Sequence, residues 1–483
     1  MNRIPKRSGS SRPDDRKAPL PASWGATALF LFGLLATGIT LVGETPLAVA
    51  RHAAIGSGLS LAVFTIVEIR RSWANLLRAD LVSMAALYYL TFAEFLFPQP
   101  SFDTLARNVD IEQGVLVVLS GFAAMAIGRH FVSRRSRPWR LADKELPPAS
   151  LLVLFWLCFA MGYFYMLATV GFDPSLMIWH FMGPRFSEPW ARGQYGDARA
   201  LLYELGATIY LVPPLAGIIL GRRRLYPRLG VLLVSLALLL TLFYGFTAGT
   251  RSIMGAYLIT LLVAYYYAAS CSRKQIIQLG ALAAFLLVAS TIYGLQFRTM
   301  GLREYLRRGE QQSDRGPREF FVDYNLLSIS TLVSVFPDEF RYLGWEVPEW
   351  FFVRVVPRAL WPGKPDGVNV SPGLYLEAFP GTTISATFIG EGYMCAGLLG
   401  SVLAGVLLGW LANYWTRKAF SIQSDFGILL YGSGFFAVVI TMRSLYMLPV
   451  ASLPVLAVVV LGSLARGRRP VRRAVLSRAT QHR

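Results

Sequence analysis

Long apolar runs recur from Trp24 to Ala465, separated mostly by short basic clusters. A run of roughly 20 apolar residues is what crosses about 30 Å of hydrocarbon as a helix. In that medium every backbone N–H and C=O has to be bonded internally, so such runs point to a helical membrane bundle. Composition agrees: 54% of the 483 residues are hydrophobic, 16% are charged, and the mean hydropathy is +0.46. A soluble chain usually carries about 25% charged residues. An ordinary cytosolic enzyme and a disordered chain are therefore excluded.

The spacing predicts an all-α polytopic membrane protein with twelve spans. Six lie at Trp24–Val42, Leu47–Val67, Asp80–Phe97, Gly114–Val132, Ser150–Val170 and Ala200–Gly221. The others lie at Leu229–Phe246, Ser252–Cys271, Gln275–Gly294, Ile384–Ala412, Phe426–Met442 and Tyr446–Ala465. One transmembrane domain, 24–465, then stands between basic tails at 1–23 and 466–483. The first run has no small-residue cleavage site and reads as a retained span. With both tails cytoplasmic, 30 of the 47 Lys and Arg fall on the inner side. This is the positive-inside pattern, and it explains the net charge of +19 without a nucleic-acid partner. The three cysteines, Cys158, Cys271 and Cys395, form neither a disulfide framework nor a CxxC metal site.

Two outer segments are long, 171–199 and 295–383. Connections of that length in a compact protein are usually functional. The second contains the helically spaced apolar stretch Asp323–Phe336 and is expected to cap the outer mouth. Glu94, Glu204, Arg251, Glu391 and Arg443 share one depth near the outer face. Ionisable groups in a membrane are costly. Each alone reads as an ion pair or a snorkelling side chain; together they predict a polar cavity opening outward.

The large loop adds Arg298, Arg303, Arg307, Arg308, Arg315, Arg318, Arg354, Arg358 and Lys364. Positive charge outside opposes the topology rule, so an anionic ligand is expected there; guanidinium binds phosphate oxygens in pairs. Arg303, Arg307 and Arg308 read as a solvated helix face. Pro357, Pro362 and Pro365 stiffen the Arg354–Lys364 stretch, where Trp361 can stack on a sugar. The pair Asp110 and Glu112 is weak as a metal site. His180 is either a general base or a packed histidine.

The run Pro357-Arg358-Ala-Leu-Trp361-Pro362-Gly-Lys364-Pro365 resembles the oligosaccharide repeat-unit polymerases, the Wzy-type O-antigen polymerases. So does Gly390-Glu391-Gly-Tyr393-Met-Cys395-Ala396-Gly397-Leu-Leu-Gly400, with Cys395 and Ala396 where the family has Asn and Phe. The Gly-Thr-Arg251 turn is also similar. The close likeness covers about 50 residues (353–400).

The resemblance implies a metal-independent GT-C-type glycosyltransferase of the bacterial inner membrane that needs no cofactor. It would join lipid-linked repeat units, carried on undecaprenyl diphosphate, into an O-antigen or exopolysaccharide. Glu391, Arg358 and Arg251 would be catalytic. Arg298, Arg354, Trp361, Lys364, Tyr393 and Arg443 would bind substrate. Partners would be the lipid-linked oligosaccharide, membrane lipids, and a chain-length regulator and flippase of the same pathway. Glu391 could be the base for the acceptor hydroxyl, or it could pair with Arg251 or Arg358. An O-antigen ligase and a lipid-linked oligosaccharide flippase or other transporter are the rival readings. The missing internal repeat and the outward position of the charges speak against a transporter.

Overall fold

The computed structural model describes residues 19–107, 109–132, 146–185, 187–190, 205–269, 272–308, 320, 322–356, 361, 363–365, 385–419, 422 and 424–464, without the side chains of 295–299, 308 and 462–464. Among these the regular structure is entirely helical. Helix is present in each of the twelve apolar runs. The first eight helices are α1 (Trp24–Ile39), α2 (Pro46–Arg71), α3 (Ala79–Thr91), α4 (Ile111–Gly128), α5 (Pro148–Thr169), α6 (Pro174–Phe181), α7 (Val212–Gly221) and α8 (Arg228–Thr247). They are followed by α9 (Arg251–Ala268), α10 (Arg273–Arg308), α11 (Asn325–Val335), α12 (Glu346–Val353), α13 (Thr387–Lys418), α14 (Asp425–Ile440) and α15 (Leu453–Leu464). Six helices are long and apolar enough to cross a membrane: α2, α4, α5, α8, the 273–294 part of α10, and α13. The other apolar helices are shorter.

Local chemistry sets several starts. The Ser23, Thr45 and Ser424 hydroxyls accept the backbone N–H of Ala26, Ala48 and Gly427, capping α1, α2 and α14. Asp110 does the same for α4 through Gln113 N–H at 3.0 Å. That gives Asp110 a role at a helix start.

Close packing centres on α4 and α13, which lie together along small residues. A Cβ on Gly409 would sit 2.1 Å from the Met125 carbonyl, and one on Gly128 would sit 2.2 Å from that of Val406. Small residues let helix backbones approach closely where lipid offers no hydrophobic drive.

Two departures from the predicted spans shape the outer side. The tenth predicted span is broken. Ala396 and Gly397 leave helical geometry, with φ +62 at Gly397. That conformation suits glycine, which has no Cβ to clash. The halves fold side by side: Ser401 Oγ donates to the Ile389 carbonyl at 2.8 Å, and Gly392 lies against Gly400. In a straight helix those glycines would be about 12 Å apart. Residues 398–418 alone remain about 31 Å long.

The second departure is α11. The predicted cap contains this helix, but α11 is buried at every position except Ser334. Ser330 fills the space over Gly114 of α4, and Leu332 and Ile329 meet Gly390 of α13. This part of the large outer segment is inside the bundle and does not lie over it as a cap.

The end of the bundle predicted to face inward is fixed by a buried charge network. Arg78 forks onto both Asp80 oxygens at 2.9 and 2.8 Å. Arg129 joins Asp80 at 2.8 Å and Glu68 at 2.6 Å, and it lies over the Phe64 ring. Asn413 of α13 accepts from Arg78 at 3.1 Å, and Thr416 Oγ1 takes the Ala79 N–H at 2.9 Å. Helices α2, α3, α4 and α13 are thereby tied at one level. Arg78 and Arg129 count as inner-loop charges in the sequence pattern, yet both are fully buried.

Candidate functional site

The charges expected to share an outer layer fall into two linked groups. The first centres on Asp323. Its Oδ1 pairs with Arg251 Nη2 at 2.7 Å, and its Oδ2 faces Arg443 Nη2 at 3.5 Å. Arg251 is the first residue of α9. A cation there opposes the helix dipole, so Asp323 compensates for an otherwise unfavourable placement.

Asp323 is held in an unusual backbone. It and Tyr324 have φ of +79 and +45. Side chains disfavour this region, at a cost of about 1–3 kcal/mol per residue, and it persists where surrounding contacts over-determine it. Those contacts are present. The Glu94 carboxylate accepts the Val322 N–H at 2.6 Å. Gln99 donates to the Phe320 carbonyl at 2.9 Å and accepts from Tyr324 Oη at 2.7 Å. Asn325 donates to the Val322 and Leu90 carbonyls. Glu94, Gln99 and Asn325 are almost fully buried.

The second group centres on Glu391, on the short first half of α13. Ser444 Oγ donates to Oε1 at 2.5 Å, and Leu445 N–H donates to Oε2 at 2.6 Å. Arg354, at the end of α12, is its charged neighbour. Ser385 Oγ donates to the Arg443 carbonyl at 2.6 Å. The first half of α13 therefore grips the turn after α14 at both ends. Arg443 and Ser444, adjacent in the chain, join the two groups. The expected Glu391–Arg251 pair is not formed: Arg251 belongs to Asp323, and Glu391 is held by neutral donors.

The remaining sequence candidates divide as follows. Tyr393 is buried and packs edge-on against Tyr342, with ring centres 6.1 Å apart; Tyr342 in turn covers Gly397. Lys364 Nζ donates to the Arg354 and Val356 carbonyls, each at 2.8 Å. Its ammonium thus secures the chain after α12. Trp361 is exposed. Arg358 and Glu204 lie outside the described residues, as do the side chains of Arg298 and Arg308.

Arg303 is not on a solvated face. Its guanidinium stacks on Trp179 at 3.7 Å, and its N–H bonds the Met182 carbonyl. His180 packs against Trp179 and Trp190, and burial together with Arg303 holds its imidazole below the ordinary value. The packed-histidine reading is the one that fits.

Two residues here were not singled out from the sequence. Asp323 is the acid just before the apolar stretch 325–335, a position that carries a signal in hindsight. Arg185, from the 171–199 segment, stands in the field of Arg443, Glu188 and Asp323.

Comparison with family models, curated proteins and solved structures gives no match. The geometry and the sequence resemblance carry the functional argument.

Proposed function

We propose that the chain is a twelve-span, GT-C-like oligosaccharide repeat-unit polymerase of the bacterial inner membrane, with both termini cytoplasmic. In this reading it joins lipid-diphosphate-linked repeat units at the periplasmic face. The observation that supports it is the meeting of Arg251, Arg354, Arg443 and Glu391, from separate parts of the chain, in one partly buried outer layer.

The chemistry needs these groups. The acceptor hydroxyl oxygen bonds to the anomeric carbon as the bond from that carbon to the diphosphate breaks. Negative charge grows on the leaving diphosphate, and fixed guanidinium groups stabilise it best where water is scarce. Glu391 accepts two hydrogen bonds, which leaves lone pairs free for the hydroxyl proton.

A transporter is the second reading, which the broken α13 favours, because interrupted helices often line transport sites. The test is purified protein in liposomes supplied with a lipid-diphosphate-linked repeat unit, followed by electrophoresis. A ladder of products is expected. One unit added to lipid A–core would indicate a ligase, and movement of the lipid across the bilayer without a new bond would indicate a flippase.

A further inference from the structure

The arginines assigned above to a diphosphate already hold an anion, and that anion belongs to the chain. Asp323 spans two guanidinium groups with one oxygen each, at 2.7 and 3.5 Å. Two oxygens of a phosphate could meet the same pair, since carboxylate and phosphate present similar acceptor geometry to Arg. The longer contact is loose by hydrogen-bond standards.

Three further observations make Asp323 exchangeable. Its backbone and that of Tyr324 are left-handed, so the carboxylate is delivered by a strained turn. Two cations close on it: Arg251 and Arg443 reach one oxygen each, at 2.7 and 3.5 Å. The N-terminus of α9 also starts at Arg251 and adds positive potential for an anion.

We propose that Arg251 and Arg443 form one diphosphate-binding site in which the Asp323 carboxylate is a resident stand-in that the ligand displaces. The inference rests on the reading of this face as a diphosphate site. It gives Asp323 a competing role. When the ligand arrives, its oxygens take the two guanidinium groups, and the left-handed turn at Asp323 and Tyr324, no longer tied to them, relaxes. Emptying the site again costs little, because the stand-in returns. Product diphosphate lipid would be released rather than trapped.

The test uses the full-length protein in nanodiscs and inorganic pyrophosphate as the probe, with titration calorimetry as the readout. Asp323→Asn removes the competing charge and should bind pyrophosphate about tenfold more tightly than the native protein. Arg443→Ala should bind it more weakly. An Asp323→Asn protein that binds no more tightly, or no binding by either protein, overturns the proposal. Hydrogen exchange on the native protein covers the case in which the variant does not fold. Pyrophosphate should speed exchange at Asp323 and Tyr324, and unchanged or slower exchange there also overturns the proposal. A parallel titration with farnesyl diphosphate tells a lipid-borne from a free diphosphate by which binds more tightly. Polymer formation is scored separately. Tighter binding by Asp323→Asn without any polymer would remove the polymerase reading alone, whereas polymer formation without tighter binding would remove this inference alone.

Discussion

At the scale of single residues, the proposed function separates groups that would act on substrate from groups that would hold them. Glu391 accepts from Ser444 and from Leu445 N–H. In Glu391→Gln one of those donors would face an NH₂ group, a mismatch worth about 1–3 kcal/mol. Ser444→Ala removes one of the same bonds and leaves the carboxylate. Both variants should therefore melt earlier than the native protein, and only Glu391→Gln should lose polymer in the liposome assay. Equal polymer loss by both would remove Glu391 from proton transfer. The Arg251–Asp323 pair makes a second test. Breaking a fully buried pair costs about 3–5 kcal/mol, and less is expected here because the Arg251 side chain is 17% exposed. Arg251→Ala should lower stability, and adding Asp323→Asn should restore part of it, because the stranded carboxylate is then gone. A double-mutant cycle by thermal unfolding measures this coupling; purely additive losses would contradict the pairing.

At the scale of elements, α4 and α13 decide where the site sits. The Gly409 position offers a new Cβ only backbone, the Met125 carbonyl at 2.1 Å and the Arg129 nitrogen at 3.0 Å. Gly409→Val should push the helices apart and cost at least about 1–3 kcal/mol, read as lost folded protein in a melting assay. Gly255 of α9 meets nothing within 4 Å. Gly255→Ala should be neutral or gain about 0.5–1 kcal/mol. Helix existence was legible in the sequence, because apolar runs separated by basic residues leave few alternatives. The break in α13 was not, because Cys395-Ala396-Gly397 differs little in hydropathy from its flanks and a hydropathy window averages over it. Nor was the inward place of α11, since an 11-residue apolar helix reads the same on a surface as in a core. Arg251, Glu391 and Arg443 were legible as costly charges in apolar surroundings. Their partners Asp323 and Ser444 were not, because pairing across the fold leaves no trace in spacing.

At the scale of the whole molecule, the inner network and the outer layer do opposite work. The inner one is closed: Glu68, Arg78, Asp80 and Arg129 are all buried. Arg129→Ala would leave Glu68 with Arg71 alone and Asp80 with Arg78 alone, and should cost less than the roughly 3–5 kcal/mol of a fully stranded buried charge, measured as a fall in the melting temperature and membrane yield. Near-native stability would show that the network is not needed for the fold. Topology has its own check. Reporter fusions at Gln312 and in the C-terminal tail should give opposite signals, and equal signals would overturn the proposed orientation. The first half of α13, residues 387–395, has a final implication for how the protein is made. It is about 14 Å long and carries Glu391, so a translocon that sorts segments by length and apolarity has no reason to insert it. Its carboxylate finds donors only once the turn at Ser444 and Leu445 has been synthesised. The segment must then wait outside while the last two helices are threaded, and it seats after translation ends. Ribosome-stalled chains ending before Ser444 should accordingly leave it open to proteolysis.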